Sequence, residues 1–191
     1  DVCSSDLEMA FCQMRFVLPA CLPAVFNSLS HKYVSLYKSV YRIPAHKIVL
    51  SVCSPYFHCM FNSNLKESSE REITINEIDG EILELLINYC YAGKISITED
   101  NVERILSTAC LFQISSVVAA CSNFLGKQLH FTNAIGFVLF AEQQNCDDLY
   151  QLSLNFVESN FMEVYQRSEE FVQMDVEQIT KLLKNENLNV N

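Results

Sequence analysis

Apolar positions follow two rhythms along this chain. Near the front they alternate: Lys32-Tyr33-Val34-Ser35-Leu36-Tyr37 has the period of a strand, and Val40-Tyr41-Arg42-Ile43 reads as a second extended run. Pro44 has no backbone donor and biases Ile43 toward extended geometry, which predicts that this strand stops there. Behind it the rhythm turns helical. Ile48, Val49 and Val52 form an apolar stripe of about one turn. Ser54-Pro55 is a junction that can end one helix and start another at Tyr56, which carries Phe57, Met60 and Phe61.

A polar connection, Asn62 to Glu72, leads to the alternating Ile73-Thr74-Ile75. Asp79 then has the form of an N-cap, Glu81 and Glu84 complement the dipole of the first turns, and Ile82, Leu85, Leu86 and Tyr89 recur at helical spacing up to Gly93 at C′. Ile95-Ser96-Ile97 predicts a further short extended piece, with Thr98 capping a helix built on Val102, Ile105, Leu106, Ala109 and Phe112. Val117, Cys121, Phe124 and Leu125 predict the inward face of the next. From Thr132 onward no strand signal recurs. Ile135, Val138 and Leu139 predict a helix ending near Asn145, followed by one on Leu149, Leu152 and Phe156, a short segment at Phe161 to Tyr165, a helix capped by Ser168, and a capping box of Asp175 with Gln178 before Ile179, Leu182 and Leu183. The pattern is α+β: short strands with a helical cluster, then paired antiparallel helices only.

Composition narrows the function. The 191 residues are half apolar and include four glycines, enough for one domain of usual size plus part of a second. A formal net charge of −10, with thirteen scattered basic residues, argues against binding nucleic acid. Nine cysteines, an odd number, include Cys53, Cys90, Cys110 and Cys121 at apolar helical positions; they read as small core side chains of a reduced intracellular protein. No C-x-x-C pair suggests a metal, and no cofactor is expected. The apolar run from Met9 to Phe26 is broken by Arg15, Pro19 and Pro23 and falls short of the ~20 clean residues of a membrane span; a signal peptide beginning at Met9 is the sharper alternative. Asp1 to Leu7 lacks an initiator Met, resembles translated sequencing adaptor, and is expected to be a scar.

The string IPAHKIVLSVCSPYFHCMF, followed in order by Leu65-Lys66-Glu67-Ser68, Ile73-Thr74-Ile75 and Leu86 to Ile95, resembles the heart of a BTB/POZ domain of the kelch-like type. Pro44, His46, Ser54, Tyr56 and Phe57 are the motif positions that carry its fold. Phe140-Ala141-Glu142 and Phe156 to Phe161 are similar to the three-box and the BACK region that follow in such proteins. The resemblance sets expected boundaries: 1–7 scar, 8–38 unmatched, 39–130 BTB/POZ with its first helix and strand missing or diverged, 131–191 three-box and the N-terminal half of BACK. The family's first strand, which carries much of its swapped homodimer, corresponds to Lys32 to Tyr37, which alternates but does not match.

The resemblance implies a non-catalytic, cytoplasmic substrate adaptor of a cullin-3 RING ubiquitin ligase, with a nuclear or cytoskeletal location as the variant. It implies homodimerisation of the intact parent and substrate recruitment through kelch repeats that lie outside this chain. A hydrophobic residue, any residue and a glutamate engage the cullin in that family, and Leu65, Lys66 and Glu67 match. Cys59, Met60 and part of the three-box between Ile135 and Leu149 should line the same surface. The alternative is a BTB oligomerisation module of a transcription factor or cytoskeletal scaffold. Enzyme chemistry finds no support: His31, His46, His58 and His130 stand in no catalytic context, and no base accompanies Cys53.

Overall fold

The computed structural model describes residues 33–38, 41–63, 66–76 and 78–184. It divides into two compact units, with the division at Ala120/Cys121, ahead of the expected 130/131 boundary. The segment Asp1 to Leu7, the apolar run Met9 to Phe26 and Leu65 lie outside the described residues.

In the first unit β1 (Tyr33–Lys38) is the middle strand of a three-stranded sheet, between β2 (Tyr41–His46) and β3 (Glu72–Thr74). β1 runs antiparallel to β2, with Leu36 opposite Ile43, and parallel to β3, with Leu36 opposite Ile73. Period-two alternation puts Val34, Leu36, Ile43, Ala45 and Ile73 in the core. β2 does not stop at Pro44 but continues to His46, with Pro44 opposite Ser35. The reason is position: β2 is an edge strand, where a residue without an N–H is accommodated on the side that has no ladder partner.

Helices α1 (Lys47–Cys53) and α2 (Pro55–Asn62) follow, then the single turn α3 (Lys66–Ser69), α4 (Gly80–Ala92), α5 (Val102–Leu111) and α6 (Ser115–Gly126), which crosses the unit boundary. The inward face of α1 is Lys47 and Leu50, not the stripe Ile48, Val49 and Val52, and Val52 is 51% exposed. Asp79 caps α4 by accepting from the Glu81 N–H, and Gly93 ends it at φ 66°, which a side chain would strain. Ile95 to Ile97 pairs with no strand among the described residues. Its polar groups go to the Asn101 side chain, which accepts from the Thr98 N–H and donates to the Ser96 carbonyl, and α5 begins after Asn101 rather than Thr98.

The second unit holds α7 (Ala134–Gln143), α8 (Asp147–Ser159), α9 (Phe161–Arg167), α10 (Glu169–Gln173) and α11 (Val176–Leu183). Its core joins Ala134, Ile135, Val138, Val157, Phe161, Val164, Phe171 and Leu182. α8 turns Leu149, Ser153 and Val157 inward, and Leu152 faces outward at 39% exposure. The capping box of Asp175 and Gln178 is complete before α11. No described helix is long and apolar enough to cross a membrane.

Candidate functional site

The junction at Ser54 sets the geometry of α2. Ser54 is fully buried; its hydroxyl accepts from the Phe57 N–H at 3.1 Å and donates to the Phe112 carbonyl at 2.6 Å. One side chain therefore caps α2 and ties it to the end of α5, and Pro55 at the first helical position needs no donor partner. Behind α2 lies an aromatic cluster: Phe57 packs on Phe112 with ring centroids 4.8 Å apart and stacks on Phe61 at 5.7 Å, while Tyr56 meets Phe112 at 5.3 Å. Burying Phe57 and Phe61 leaves the opposite face of α2 outward, with Cys59 exposed and Met60 half-buried.

The candidate residues on α3 are set down beside that face. Lys66 is exposed and Glu67 half-buried. Burial first, and the negative charge of Glu67 second, push the Tyr56 phenol above its ordinary value. Tyr56 and Met60, four residues apart, share a face of α2, and α3, which carries Glu67, packs against α2. His46 lies apart at the β2–α1 junction, where its backbone N–H donates to the Tyr91 hydroxyl at 2.7 Å and its Nδ1 lies 2.9 Å from the same oxygen.

Lys47 is the residue that sequence reasoning missed. It is 6% exposed, and its ammonium donates to the carbonyls of Glu67 at 2.9 Å and Glu70 at 2.8 Å while lying 5.1 Å from the Phe61 ring centroid. A signal was present, because Lys47 precedes Leu50 by three residues, about one helical turn, and the inward face of a short helix runs through both.

Two thiols meet between α1 and α4. The Cys53 thiol donates to the Cys90 carbonyl at 3.5 Å. The hydrogen bond with the Cys90 side chain holds Cys53 below its ordinary value, and the same bond together with burial pushes Cys90 up. Cys53 and Cys110 are half-buried, whereas Cys90 and Cys121 are buried as expected. Among the described residues no group of histidines, cysteines and carboxylates is placed to hold a metal. The second unit contains an apolar pocket of about 300 Å³ lined by Ile135, Val138, Leu139, Tyr150, Leu154 and Leu182, with Glu142, Gln178 and Lys184 adding polar groups.

Comparison with known proteins decides the family. The BTB/POZ domain family matches residues 13–129, and the BACK family, described as BTB And C-terminal Kelch, matches residues 134–191. The chain belongs to the kelch-like BTB–BACK family. Kelch-like protein 5 of Homo sapiens is 43% identical over 167 residues, covering 86% of this chain and 22% of that protein. Kelch-like protein 2 of Rattus norvegicus is 40% identical over 148 residues, covering 78% of this chain and 25% of that one. The BTB domain of zebrafish PATZ1 aligns over 50% of this chain and 75% of its own at 26% identity, with a TM-score of 0.45. This kelch-like BTB–BACK chain spans about a quarter of the length of the curated relatives it matches. Its BTB match begins at residue 13, upstream of the expected boundary at 39, and takes in β1. The family is one of protein-interaction adaptors.

Proposed function

We propose that this chain is the adaptor half of a cullin-3 RING ubiquitin ligase, docking the cullin and contributing no covalent chemistry of its own. The supporting observation is that α3, carrying half-buried Glu67, packs against α2, which carries half-buried Met60 and exposed Cys59. Leu65, two positions before Glu67, supplies the apolar anchor; desolvating it drives association, and the acid fixes register through a charge-assisted bond. The intact parent is a cytoplasmic homodimer whose kelch repeats hold substrate, and catalysis is proximity: substrate lysines are raised in effective concentration near the ubiquitin-loaded enzyme.

Titration of the chain with the cullin-3 N-terminal domain tests this. Leu65→Asp with Glu67→Ala is expected to weaken binding by about 2 kcal/mol or more. Equal affinity of wild type and double variant removes the assignment.

A further inference from the structure

α3 is a helix of one turn, far below the length at which a helix stands on its own hydrogen bonds. Within it the Glu70 N–H donates to the Lys66 carbonyl at 3.1 Å and the Ser69 hydroxyl to the same oxygen at 2.9 Å. Order must therefore come from outside the turn, and Lys47 provides it. A buried ammonium is costly unless its protons find acceptors. Here two go to the carbonyls of Glu67, inside α3, and Glu70, just past it, in charge-assisted bonds, and the Phe61 ring face takes up part of the charge. One side chain from α1 thus grips both α2, through Phe61, and α3, through Glu67 and Glu70.

We propose that Lys47 is a positioning residue for the docking surface: it sets the register of α3 against α2, and so the place of Glu67 relative to Tyr56 and Met60, without itself touching the partner. The effect on docking rests on the function proposed above; the effect on α3 does not. A partner that binds only the ordered turn sees its apparent affinity reduced by the fraction of molecules in which the turn is formed.

Two measurements on the whole chain separate these limbs. In Lys47→Met, which keeps the length of the stem and removes the ammonium, amide hydrogen exchange at Glu70 is expected to accelerate at least tenfold while the amides in the middle of α4 keep their protection. The dissociation constant for the cullin-3 N-terminal domain is expected to rise at least fivefold, with the change in the association rate. Wild-type exchange at Glu70 or wild-type affinity in this variant overturns the proposal. If wild type itself fails to bind the cullin domain, the proposed function falls, and the exchange at Glu70 alone decides whether Lys47 orders α3. Should Lys47→Met not fold, the wild-type ammonium is followed directly by nitrogen-detected nuclear magnetic resonance. By reciprocity, saturating cullin domain must slow the exchange of the Lys47 ammonium protons several-fold, and an unchanged rate overturns the proposal.

Discussion

Ser54 shows how much a single small side chain can decide. Its hydroxyl both caps α2 and donates to the Phe112 carbonyl in a fully buried setting, so Ser54→Ala strands a buried carbonyl and an N–H together. The expected loss is about 2 kcal/mol, read as a fall in the urea midpoint at unchanged slope. The cap half of this role was legible, because Ser-Pro before an apolar turn is local chemistry; the tie to Phe112, 58 positions away, was not. Lys47 was missed for the same reason, since its acceptors lie 20 and 23 residues on. The titrating side chains give a second prediction at this scale. Cys90 and Tyr89 are both raised, Cys90 by its bond with Cys53 and by burial, Tyr89 by burial against the opposing hydrogen bond from Ser116. The unfolded chain releases these protons near the ordinary 9.0 and 10.0, the folded chain only above them. Stability is then intact below pH 9 and falls as pH rises further. Cys53, whose value is lowered, has the opposite sign, but it adds nothing more once its unfolded counterpart is also ionised near 9.0. The urea midpoint is expected to drop between pH 8.5 and 10.5, and Cys90→Ala is expected to flatten that slope.

At the level of elements, the backbone positions that punctuate the chain follow from local rules more faithfully than strand ends do. Asp79, Gly93 and the pair Asp175 and Gln178 stand in the structure where their chemistry placed them. The end of β2 does not, because the rule that proline stops a strand depends on whether the strand is central or at an edge, and only the assembled sheet order supplies that. The stretch Ile95 to Ile97 alternates like a strand yet pairs with none among the described residues; the Asn101 side chain instead bonds the Ser96 carbonyl and the Thr98 N–H. Two glycines make the contrast measurable. Gly93 sits at φ 66°, so Gly93→Ala is expected to cost about 1 kcal/mol. Gly136 lies inside α7, where an added Cβ would meet the Glu170 carboxylate at an ordinary 3.4 Å, so Gly136→Ala is expected to stabilise by about 0.5–1 kcal/mol through helix propensity. Opposite shifts in melting temperature check the pair, and a loss at Gly136 would mean that Glu170 cannot give way.

For the molecule as a whole, the proposed docking separates what charge does from what the proposed apolar anchor does. A formal net charge of −10 acts at a distance: it alters the encounter with a charged partner and is screened by salt over about 10 Å at 0.1 M. A desolvated apolar side chain acts only in contact, and its loss is felt when the complex comes apart. Binding of the cullin-3 N-terminal domain should therefore divide by rate constant. Raising sodium chloride from 50 to 500 mM is expected to change the association rate and leave dissociation nearly constant, whereas Leu65→Asp is expected to raise the dissociation rate at least tenfold at either salt concentration. Surface-bound kinetics at the two ionic strengths measure both. If Leu65→Asp slowed association alone, it would be acting as one more negative charge in a long-range field, and Leu65 would have no place as a buried anchor in the interface.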